Sequence, residues 1–463
     1  MEPRSLTYIA ESCGGELSGA SPSATIRRVC SDSRQTQPGD LFVALAGEKL
    51  DGHDYLSEAV RKGAAAVMAE QKKVQSQVLG CAVIAVEDTR QALGKLAARY
   101  RRDFDPAMIA VGGSNGKTTT KELLASVLRE RFKTLWSEAS FNNDIGVPMT
   151  LLKLDRTHQA AALEVGTNHP GELAPLVRMI EPRFGVITSV GREHLEFFGD
   201  LTGVAEEQGW LAELLPADGT LFVNGDSPDI EKIVGRTRAN VRRAGFGSEN
   251  DWRAVKVKPD ESGASFQVKT TDEAVRGEYR VNLLGRHQLV NAMLAAAVGR
   301  ELGLRREEIQ RGLAECRPAP MRMQVWTAKG VRVLDDAYNA NADSMIAALE
   351  TLQEFPCAGR RVAVLGDMAE LGPHGAEAHA EVGRRAAELR VDQLFAVGKM
   401  AGVMGAAARA AGLMRVIELG EVETVANAVK RFVRPGDVVL IKASRASRLE
   451  RVSEVLRDEN SKK

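Results

Sequence analysis

The sequence predicts an α/β protein whose chain folds into three domains built on parallel sheets. From about residue 105 onward, short apolar runs alternate with longer stretches of helical periodicity, and this alternation produces parallel strands joined by crossover helices. The chain has 463 residues, and domains of roughly 100–200 residues are typical. The charged segment 101–106 and the segment 317–320, with its two prolines, interrupt the pattern. They predict domains over 1–104, 105–316 and 317–463.

Apolar runs and periodic stretches mark the individual elements. The predicted strands are 108–111, 160–165, 184–190, 220–223, 331–334, 361–365, 394–397 and 438–441, and the clearest predicted helices are 117–132 and 289–302. In parallel sheets, ligands bind at the carboxyl ends of the strands. Polar residues directly after these runs are therefore the candidates for function. The last residues, 460–463, predict a disordered tail.

Composition excludes several classes of protein. Lys+Arg and Asp+Glu both number 62, so the chain lacks the basic excess of a nucleic-acid binder. Its five cysteines lie far apart without a CxxC pair, which argues against a zinc site or disulfide framework and favours a reducing compartment. No apolar run approaches the ~18 residues of a membrane span, and the N-terminus lacks a signal-peptide core. We expect a cytoplasmic protein without membrane or nucleic-acid partners.

The stretch VGGSNGKTTT, residues 111–120, lies between a predicted strand and a predicted helix. It lacks the usual P-loop spacing, because the residue five positions before Gly116 is valine. Even so, Gly113 and Gly116 let the backbone approach phosphate oxygens. The N–H groups of the loop, which includes Ser114 and Asn115, and of the helix start would then face an anion.

The residues after the second glycine supply the rest of a nucleotide site. Lys117 offers a charge to the β/γ-phosphates, and Thr118 or Thr119 offers a hydroxyl to Mg²⁺. The alternative is a helix-capping turn in which Lys117 is merely solvated. The order of strand, glycine loop and helix favours the nucleotide site.

Six motifs together resemble the Mur ligase family. They are the shortened phosphate loop at 113–119, SFNNDIGVPMTLL (140–152), LEVGTNHPGEL (163–173), GREHLEFFG (191–199), GRHQLVNAMLAAAV (285–298) and DDAYNANADSM (335–345). The last motif and GDMAELG (366–372) are most similar to the branch that adds D-alanyl-D-alanine to UDP-N-acetylmuramoyl-tripeptide. The Asp-Asn-Pro-Arg motif expected of the diaminopimelate-adding branch is absent from the sequence.

The resemblance implies an ATP-dependent amide ligase of peptidoglycan precursor synthesis that proceeds through an acyl phosphate and uses Mg²⁺. It implies a central P-loop parallel-sheet ATPase domain, a smaller N-terminal α/β domain that binds the UDP substrate, and a C-terminal Rossmann-like α/β domain. We expect a monomer whose partners are small molecules.

Glu164 and His194 follow two of the predicted strands. Mg²⁺ prefers oxygen ligands, so a structural histidine is the alternative for His194. The resemblance matches both residues to the family's metal-binding positions, and the Thr118 hydroxyl of the phosphate loop is the third expected Mg²⁺ ligand. The expected catalytic groups are Lys117, Glu164 and His194.

The resemblance also assigns nucleotide and substrate contacts. Asn291 would read the adenine edge, unless it is a helix-cap residue, and Arg322 would contact phosphate, unless it is an exposed linker residue. The loop residues over the nucleotide would be Asp336, Tyr338 and Asn339. For the uridine diphosphate the resemblance implies Ser33 and Arg34, with Gly52 and His53 beside them. The paired amides of Asn142 and Asn143 suit a peptidyl sugar, unless they are routine turn residues. At the end of the strand 438–441, the residues expected to bind the dipeptide or the developing anion are Lys442, Ser444 and Arg445.

One position departs from the family pattern. Gln208 stands where relatives carry a lysine that can be carbamylated to hold a second Mg²⁺, and an amide cannot form a carbamate. Either Gln208 binds a Mg²⁺-bound water, or Glu206 or Glu207 supplies the missing negative charge. We favour the carboxylate, because a neutral amide is a weaker ligand for a hard cation.

Other functions remain open to the sequence. Within the same class are ligases that add diaminopimelate or lysine, and folylpolyglutamate synthetase, which would need a pterin site. A P-loop nucleotide switch would require a conventional P-loop and a partner surface. A catalytically dead scaffold is disfavoured because Lys117, Glu164, His194 and Asp336 are all retained.

Overall fold

The computed structural model describes residues 1–19, 24–47, 49–74 and 80–457, so the predicted tail at 460–463 lies outside the described residues. The chain forms two compact units. The first comprises Met1–Ala110, Phe132–Gly166 and Glu172–Phe184, and the second comprises Val111–Arg131, Thr167–Gly171 and Gly185–Lys463. The three domain ranges taken from the sequence stay a prediction.

The first unit begins with a mostly parallel five-stranded sheet. Its strands, in spatial order, are Glu16–Ser18, Ala82–Val86, Ala66–Glu70, Leu41–Val43 and Val29–Cys30, of which only the first is antiparallel to its neighbour. Arg4–Ser5 and Thr25–Ile26 form a separate antiparallel pair. The helices Leu6–Cys13, Leu56–Arg61, Gln71–Val74 and Thr89–Arg101 accompany them. The last of these begins where the Asp88 side chain accepts the N–H groups of Arg90 and Gln91, a typical N-cap.

The rest of the first unit carries residues of the predicted site. The strands Thr134–Trp136 and Ala160–Glu164 pair in parallel, and the helices are Gly146–Leu151 and Leu173–Ile180. The strand Ala160–Glu164 is buried along its whole length, as expected for a strand covered on both faces. Glu164 is its last residue, so the carboxylate lies at the carboxyl end of the strand.

The second unit contains the phosphate-loop helix, Lys117–Leu128. Its first set of strands runs Thr220–Asn224, Asn240–Gly245 and Trp252–Asp260 in parallel, and Gly263–Lys269 and Gly277–Val281 continue the set in antiparallel pairing. The accompanying helices are Leu195–Phe198, Leu201–Glu213, Ile230–Val234, His287–Glu301 and Arg306–Glu315. Two strands, Ala107–Gly112 and Phe184–Ile187, span the points where the chain passes between the units.

A six-stranded sheet forms the C-terminal part of the second unit. In spatial order its strands are Gln324–Ala328, Val331–Asp335, Val438–Lys442, Arg361–Leu365, Gln393–Val397 and Val416–Leu419, all parallel except the first. Its helices are Ala342–Glu354, Gly375–Glu388, Ala401–Ala410, Val422–Phe432 and Glu450–Arg457. Alternate strand residues enter two cores: Leu440 packs in one, and Val439 and Ile441 pack in the other. Successive strand residues point to opposite faces, so helices cover both faces, as in a Rossmann-like sheet.

The predicted elements are present with small shifts at their ends. The strand predicted at 184–190 ends at Ile187, and the helix predicted at 117–132 ends at Leu128. The helix predicted from residue 289 begins at His287. The antiparallel strands between residues 252 and 281 were not predicted. Within the described residues, no helix is long and apolar enough to span a membrane.

Two helical glycines in the C-terminal part differ in the space around them. A Cβ on Gly383 would lie 2.2 Å from the backbone oxygen of Met404, whereas on Gly402 its nearest neighbour would be the Glu418 carboxylate at 3.8 Å. We expect Gly383→Ala to lower the free energy of unfolding by about 1–3 kcal/mol through overpacking. The control, Gly402→Ala, should raise it by up to about 0.5 kcal/mol through helix propensity. Thermal unfolding of both variants checks this, and equal shifts would contradict it.

Candidate functional site

The phosphate loop packs so closely on residues 188–189 that one of its glycines is obligatory. Gly113 has φ +110°, and a Cβ there would lie 2.4 Å from Thr188 Oγ1 and 2.9 Å from the Ser189 amide nitrogen. Both the left-handed backbone and the lack of space exclude a side chain. The loop is thus shaped by residues that follow the strand Phe184–Ile187.

Three backbone amides of the loop donate to acceptors within the protein. The Gly113 N–H donates to Gln208 Oε1 (2.8 Å), and those of Ser114 and Asn115 donate to the backbone oxygen and the hydroxyl of Ser189 (both 2.9 Å). This corrects the expectation that these loop amides face the anion, because they brace the loop instead. The expectation for the helix start is unaffected.

The helix Lys117–Leu128 offers the remaining anion site. Gly116 precedes it with φ 89°, and no side chain caps the helix. The first-turn amides of a helix have no partners within it, and together with the helix dipole they attract a phosphate. The capping-turn alternative is therefore not supported.

The Lys117 ammonium points back into its own loop. Its Nζ donates to the backbone oxygens of Gly113 (2.6 Å) and Ser114 (3.1 Å) and pairs with Glu193 Oε2 (3.2 Å). The side chain is 14% exposed, so it is not merely solvated. Sequence reasoning missed Glu193, a buried carboxylate in direct contact with the predicted phosphate-binding lysine.

Gln208 is fully buried and uses both ends of its amide. Oε1 accepts the Gly113 N–H, and Nε2 donates to Glu193 Oε1 at 3.1 Å. Of the two carboxylates we considered for this position, Glu206 is exposed, and Glu207 accepts from Thr167 Oγ1 (3.3 Å) and the Gly171 N–H (2.8 Å). The carboxylate that contacts Gln208 is Glu193.

His194 is oriented by a carboxylate from the GDMAELG motif. Its Nδ1 makes a short hydrogen bond with Glu370 Oε2, and this bond holds the pKa of Glu370 below its usual value despite partial burial. Histidines that bind metals usually have their other nitrogen bonded to such a carboxylate. The pair leaves Nε2 as the nitrogen for a ligand. Sequence reasoning missed Glu370, which lies 176 residues from His194.

Arg322 lies between the phosphate-loop helix and the loop after the strand Val331–Asp335. Its Nη2 donates to Thr118 Oγ1 (3.2 Å), and its guanidinium stacks on the Tyr338 ring at 4.1 Å. It is therefore not an exposed linker arginine. Thr119 is half-buried in the first turn of the same helix.

Asn291 lies inside the helix His287–Glu301, so it is not a helix cap. It is buried, and its Nδ2 donates to Gln288 Oε1 at 2.8 Å. A Cβ on Gly116 would lie 2.8 Å from Asn291 Oδ1. Asn291 therefore packs directly against Gly116 of the phosphate loop. Its contact with adenine stays a prediction.

Lys442, which is buried, forms an ion pair with Asp336, whose side chain is 15% exposed. Lys442 Nζ lies 2.6 Å from Asp336 Oδ2 and donates to the Asn339 backbone oxygen at 2.9 Å. Asp336 Oδ1 also accepts the Met323 N–H. The lysine was expected to grip the dipeptide or an anion, but it is buried and its observed contacts hold the 336–339 loop.

The two neighbouring candidates differ in exposure. Ser444 is buried, and its N–H donates to the Asp367 backbone oxygen at 3.0 Å. Arg445 is 58% exposed and pairs with Glu450 at 3.0 Å. Of the three residues expected to bind the dipeptide, only Arg445 presents its charge to solvent.

Arg192 is a further residue that the sequence did not single out. It pairs with Asp343 Oδ1 (2.6 Å) and Glu381 Oε2 (2.5 Å). Burial disfavours the charged guanidinium, but these two carboxylates outweigh it and raise the pKa of Arg192. Nearby, Asn341 Nδ2 donates to Asn115 Oδ1 at 3.1 Å. These contacts connect the loop segment 191–194 and the phosphate loop with the helix Ala342–Glu354.

In the first unit, Glu164 has one oxygen without a partner. Oε1 accepts from Asn142 Nδ2 (2.9 Å), and the Glu164 N–H donates to Ser137 Oγ (3.1 Å). Oε2 is buried, and no described residue donates to it. A buried carboxylate oxygen left unsatisfied is costly, and a hard cation such as Mg²⁺ would satisfy it.

The other candidates of the first unit have structural contacts. Asn143 Oδ1 accepts the N–H groups of Ile145 (3.2 Å) and Gly146 (2.9 Å) at the start of the helix Gly146–Leu151. Ser33 Oγ donates to Glu58 Oε2 at 2.8 Å. Arg34 forms a two-point pair with Asp32, yet its side chain is 83% exposed, so its charge stays accessible. His53 is buried and bonded to Asp51.

In the described part of the chain, no three His, Cys, Asp or Glu side chains gather as a group that could hold a metal ion. Each unit offers single donors instead: Glu164 in the first, and His194 and the Thr118 hydroxyl in the second. Mg²⁺ commonly keeps waters and takes ligands from substrate phosphates, so such a sparse donor set suits Mg²⁺ with a nucleotide.

Three models of one family match the sequence. They are "Mur ligase family, catalytic domain" at residues 25–101, "Mur ligase middle domain" at 111–299, and "Mur ligase, glutamate ligase domain" at 321–445. Together they cover most of the chain, and their layout fits the three-domain architecture. The phosphate loop falls in the middle match.

Similar proteins match over almost the full length. UDP-N-acetylmuramoyl-tripeptide–D-alanyl-D-alanine ligases of Escherichia coli (strain K12) and Bacillus subtilis (strain 168) are 34% and 33% identical, each with 98% of both chains covered. A crystal structure of MurF from Acinetobacter baumannii matches with a TM-score of 0.89 at 30% identity, covering 98% of this chain and 99% of that one. MurF ligase from Thermotoga maritima in complex with ADP gives 0.82 at 31% identity, covering 94% and 98%.

The ion pair of Lys442 with Asp336 can be tested against its exposed neighbour. We expect Lys442→Met to lower the free energy of unfolding by about 3 kcal/mol, because it leaves Asp336 without its counter-ion. Arg445→Met is the control and should cost at most about 1 kcal/mol. Chemical denaturation of the two variants measures both. Equal, small losses would show that Lys442 is not needed to hold the loop.

Proposed function

The chain belongs to the Mur ligase family, and from that premise we propose how it acts as an ATP-dependent ligase. It joins D-alanyl-D-alanine to UDP-N-acetylmuramoyl-tripeptide in peptidoglycan precursor synthesis. The observation that carries this function is the match to ligases of that name over 98% of the chain at 33–34% identity. The uncapped helix start behind Gly116, with Lys117 beside it, supports the nucleotide site.

The reaction requires activation of a carboxylate. Oxide is a poor leaving group, so ATP first transfers its γ-phosphoryl group to the terminal carboxylate of the tripeptide, which gives an acyl phosphate and ADP. The amine of D-alanyl-D-alanine then attacks the acyl carbon, and phosphate leaves as the amide forms. Phosphoryl transfer depends on in-line positioning and charge neutralisation more than on covalent chemistry by side chains.

Residues of the second unit bind and orient the phosphates in this proposal. The first-turn amides of the helix Lys117–Leu128 receive a phosphate, and Lys117 contacts the β/γ-phosphates. The bracing of Gly113, Ser114 and Asn115 keeps the loop shaped before the nucleotide arrives, which lowers the cost of ordering it on binding. Arg322 lies against Thr118 and adds a second positive charge.

Glu164, His194 and Thr118 are the proposed Mg²⁺ ligands. Mg²⁺, when bound, neutralises charge on the transferring phosphoryl group. Glu164 supports the assignment because its buried Oε2 has no hydrogen-bond partner among the described residues. His194 supports it through the Nδ1 bond to Glu370, which fixes the ring and directs Nε2 to a ligand.

We assign the remaining candidate residues by whether their side chains are exposed to solvent. Arg34 and Arg445 are the exposed arginines of the predicted set, and we propose them for the diphosphate and the dipeptide. Asn291, Tyr338 and Asn339 are proposed nucleotide contacts. The other candidates have structural roles in this proposal. Asn142 donates a hydrogen bond to Glu164, and Lys442 forms an ion pair with Asp336. Asn143, Ser33 and Ser444 stabilise the loops in which they lie.

Three further features belong to the proposal. The domain ranges 1–104, 105–316 and 317–463 are supported by the three family-model matches, at 25–101, 111–299 and 321–445, because both predicted boundaries fall in the gaps between matches. A cytoplasmic location is supported by five cysteines that are all free of disulfides. The partners are small-molecule substrates, and the chain acts as a monomer.

Removing the loop lysine tests the nucleotide site. We expect Lys117→Ala to lower ligation by about 10²–10³-fold, because a positioned charge on the transferring phosphoryl group is lost. The assay is phosphate release from ATP with UDP-N-acetylmuramoyl-tripeptide, with and without D-alanyl-D-alanine. Lys232→Ala, at an exposed surface lysine, is the control. Near-normal turnover of Lys117→Ala would contradict the site.

Neutralising Glu164 separates metal binding from folding. We expect Glu164→Gln to reduce ligase activity by at least about 10-fold and raise the Mg²⁺ requirement. In chelator its melting temperature should not fall, because a buried charge with an unsatisfied oxygen is removed. Glu207→Gln is the matched control: both Glu207 oxygens have partners, so its melting temperature should drop with or without Mg²⁺. Loss of stability in Glu164→Gln without Mg²⁺ would contradict the assignment.

A further inference from the structure

A buried carboxylate beside the phosphate loop has no place in the function described so far. Glu193 is 5% exposed. Its two oxygens are divided between a cation and an amide: Oε2 lies 3.2 Å from Lys117 Nζ, and Oε1 lies 3.1 Å from Gln208 Nε2. A buried charge is tolerated only when it is paired and hydrogen-bonded, and both conditions are met here.

The contacts of Glu193 close a ring through the loop. Gln208 Oε1 accepts the Gly113 N–H, while Lys117 Nζ donates to the Gly113 backbone oxygen at 2.6 Å. Glu193 and Gln208 therefore fix both polar groups of the Gly113 backbone, one directly and one through the lysine. A shift of any member would move the loop or the ammonium.

This geometry gives the ammonium of Lys117 a resting position. An ammonium has three donors, and the three observed contacts go to Gly113, Ser114 and Glu193. A phosphate oxygen can bind Lys117 only if it replaces at least one of them. Of the three partners only Glu193 carries a negative charge, which repels the incoming phosphate, so its contact is the one to be exchanged.

We propose that Glu193 is a positioning residue that holds Lys117 as its counter-ion in the nucleotide-free loop and takes it back when ADP leaves. The hydrogen bond from Gln208 Nε2 keeps the Glu193 carboxylate oriented toward Lys117. The inference rests on the proposed ATP-dependent reaction, and it adds a residue that acts on nucleotide exchange through Lys117. In the nucleotide complex the Lys117 ammonium binds the phosphates instead of Glu193. Glu193 then keeps its hydrogen bond to Gln208.

The charge of Glu193 therefore opposes nucleotide binding and favours product release. Glu193→Gln keeps the size of the side chain but removes the charge. We expect the variant to bind ADP at least about tenfold more tightly, measured by calorimetry without Mg²⁺, because an anion a few ångströms from the phosphates is gone. In steady state, kcat and the KM for ATP should both fall, since ADP leaves more slowly.

Three controls isolate the charge. Glu193→Asp retains the carboxylate and should bind ADP within about threefold of the unaltered chain. Glu213→Gln, which removes an exposed carboxylate paired with Arg236, should leave ADP affinity unchanged. In a Lys117→Met background, Glu193→Gln should have a smaller effect on ADP affinity than it has alone, because the two residues act through one contact.

The outcomes separate this inference from the proposed function. If Glu193→Gln binds ADP equally or more weakly, or if Glu193→Asp behaves like Glu193→Gln, the positioning role is wrong even though the unaltered chain ligates D-alanyl-D-alanine. If the unaltered chain binds ADP but shows no ligation, the proposed function is wrong, while the ADP affinities still test the role of Glu193.

Discussion

The phosphate loop depends on backbone hydrogen bonds to the segment that follows the strand Phe184–Ile187. Ser189 accepts the N–H groups of Ser114 and Asn115, and Gly113 packs so closely on Thr188 that no side chain fits. The loop therefore has its shape in the protein alone. The same segment continues directly into Glu193 and His194, so the peptide that shapes the loop also places the carboxylate that pairs with Lys117 and the imidazole proposed to bind Mg²⁺.

Three charged side chains show how differently the fold can pair a charge that it buries. Lys442 and Asp336 pair with each other, and each also has a backbone partner, the Asn339 carbonyl and the Met323 N–H respectively. Glu164 is also buried, but among the described residues none donates to its Oε2. Because an unsatisfied buried oxygen costs free energy, the Mg²⁺ that we propose at this carboxylate would stabilise it. A buried charge that is already paired gives no such reason to expect a ligand, even at the end of a strand.

Much of the fold followed from the sequence because burial and periodicity are local properties. The strands near residues 160 and 438 and the helix from Lys117 were predicted to within a few residues, and the phosphate loop was found from its glycines and lysine. Glu193 and Glu370 were missed because a carboxylate carries no local signature. Their roles come from partners such as Lys117 and His194, which lie 76 and 176 residues away in sequence.

Amide side chains were the hardest to interpret. Gln208 was recognised as a departure, yet its partner could not be inferred, since the sequence does not show which carboxylate the fold brings to it. Asn142 and Asn143 are adjacent in sequence but act differently: one donates to Glu164, and the other accepts the N–H groups of Ile145 and Gly146. The direction in which each side chain points is fixed only in the folded chain, and that direction decides which of the two roles an asparagine has.

The backbone at His194 and Glu370 limits how this part of the protein can evolve. Both residues adopt left-handed conformations, with φ of 49° and 60°, which β-branched side chains avoid and which cost about 1–3 kcal/mol for residues other than glycine. Exchange for valine, isoleucine or threonine would therefore fail for a conformational reason before any chemistry is lost. Glycine, asparagine and aspartate fit the backbone but do not reproduce the bond between the imidazole and the longer carboxylate. An inhibitor that engages this pair would face few routes to resistance by single substitution.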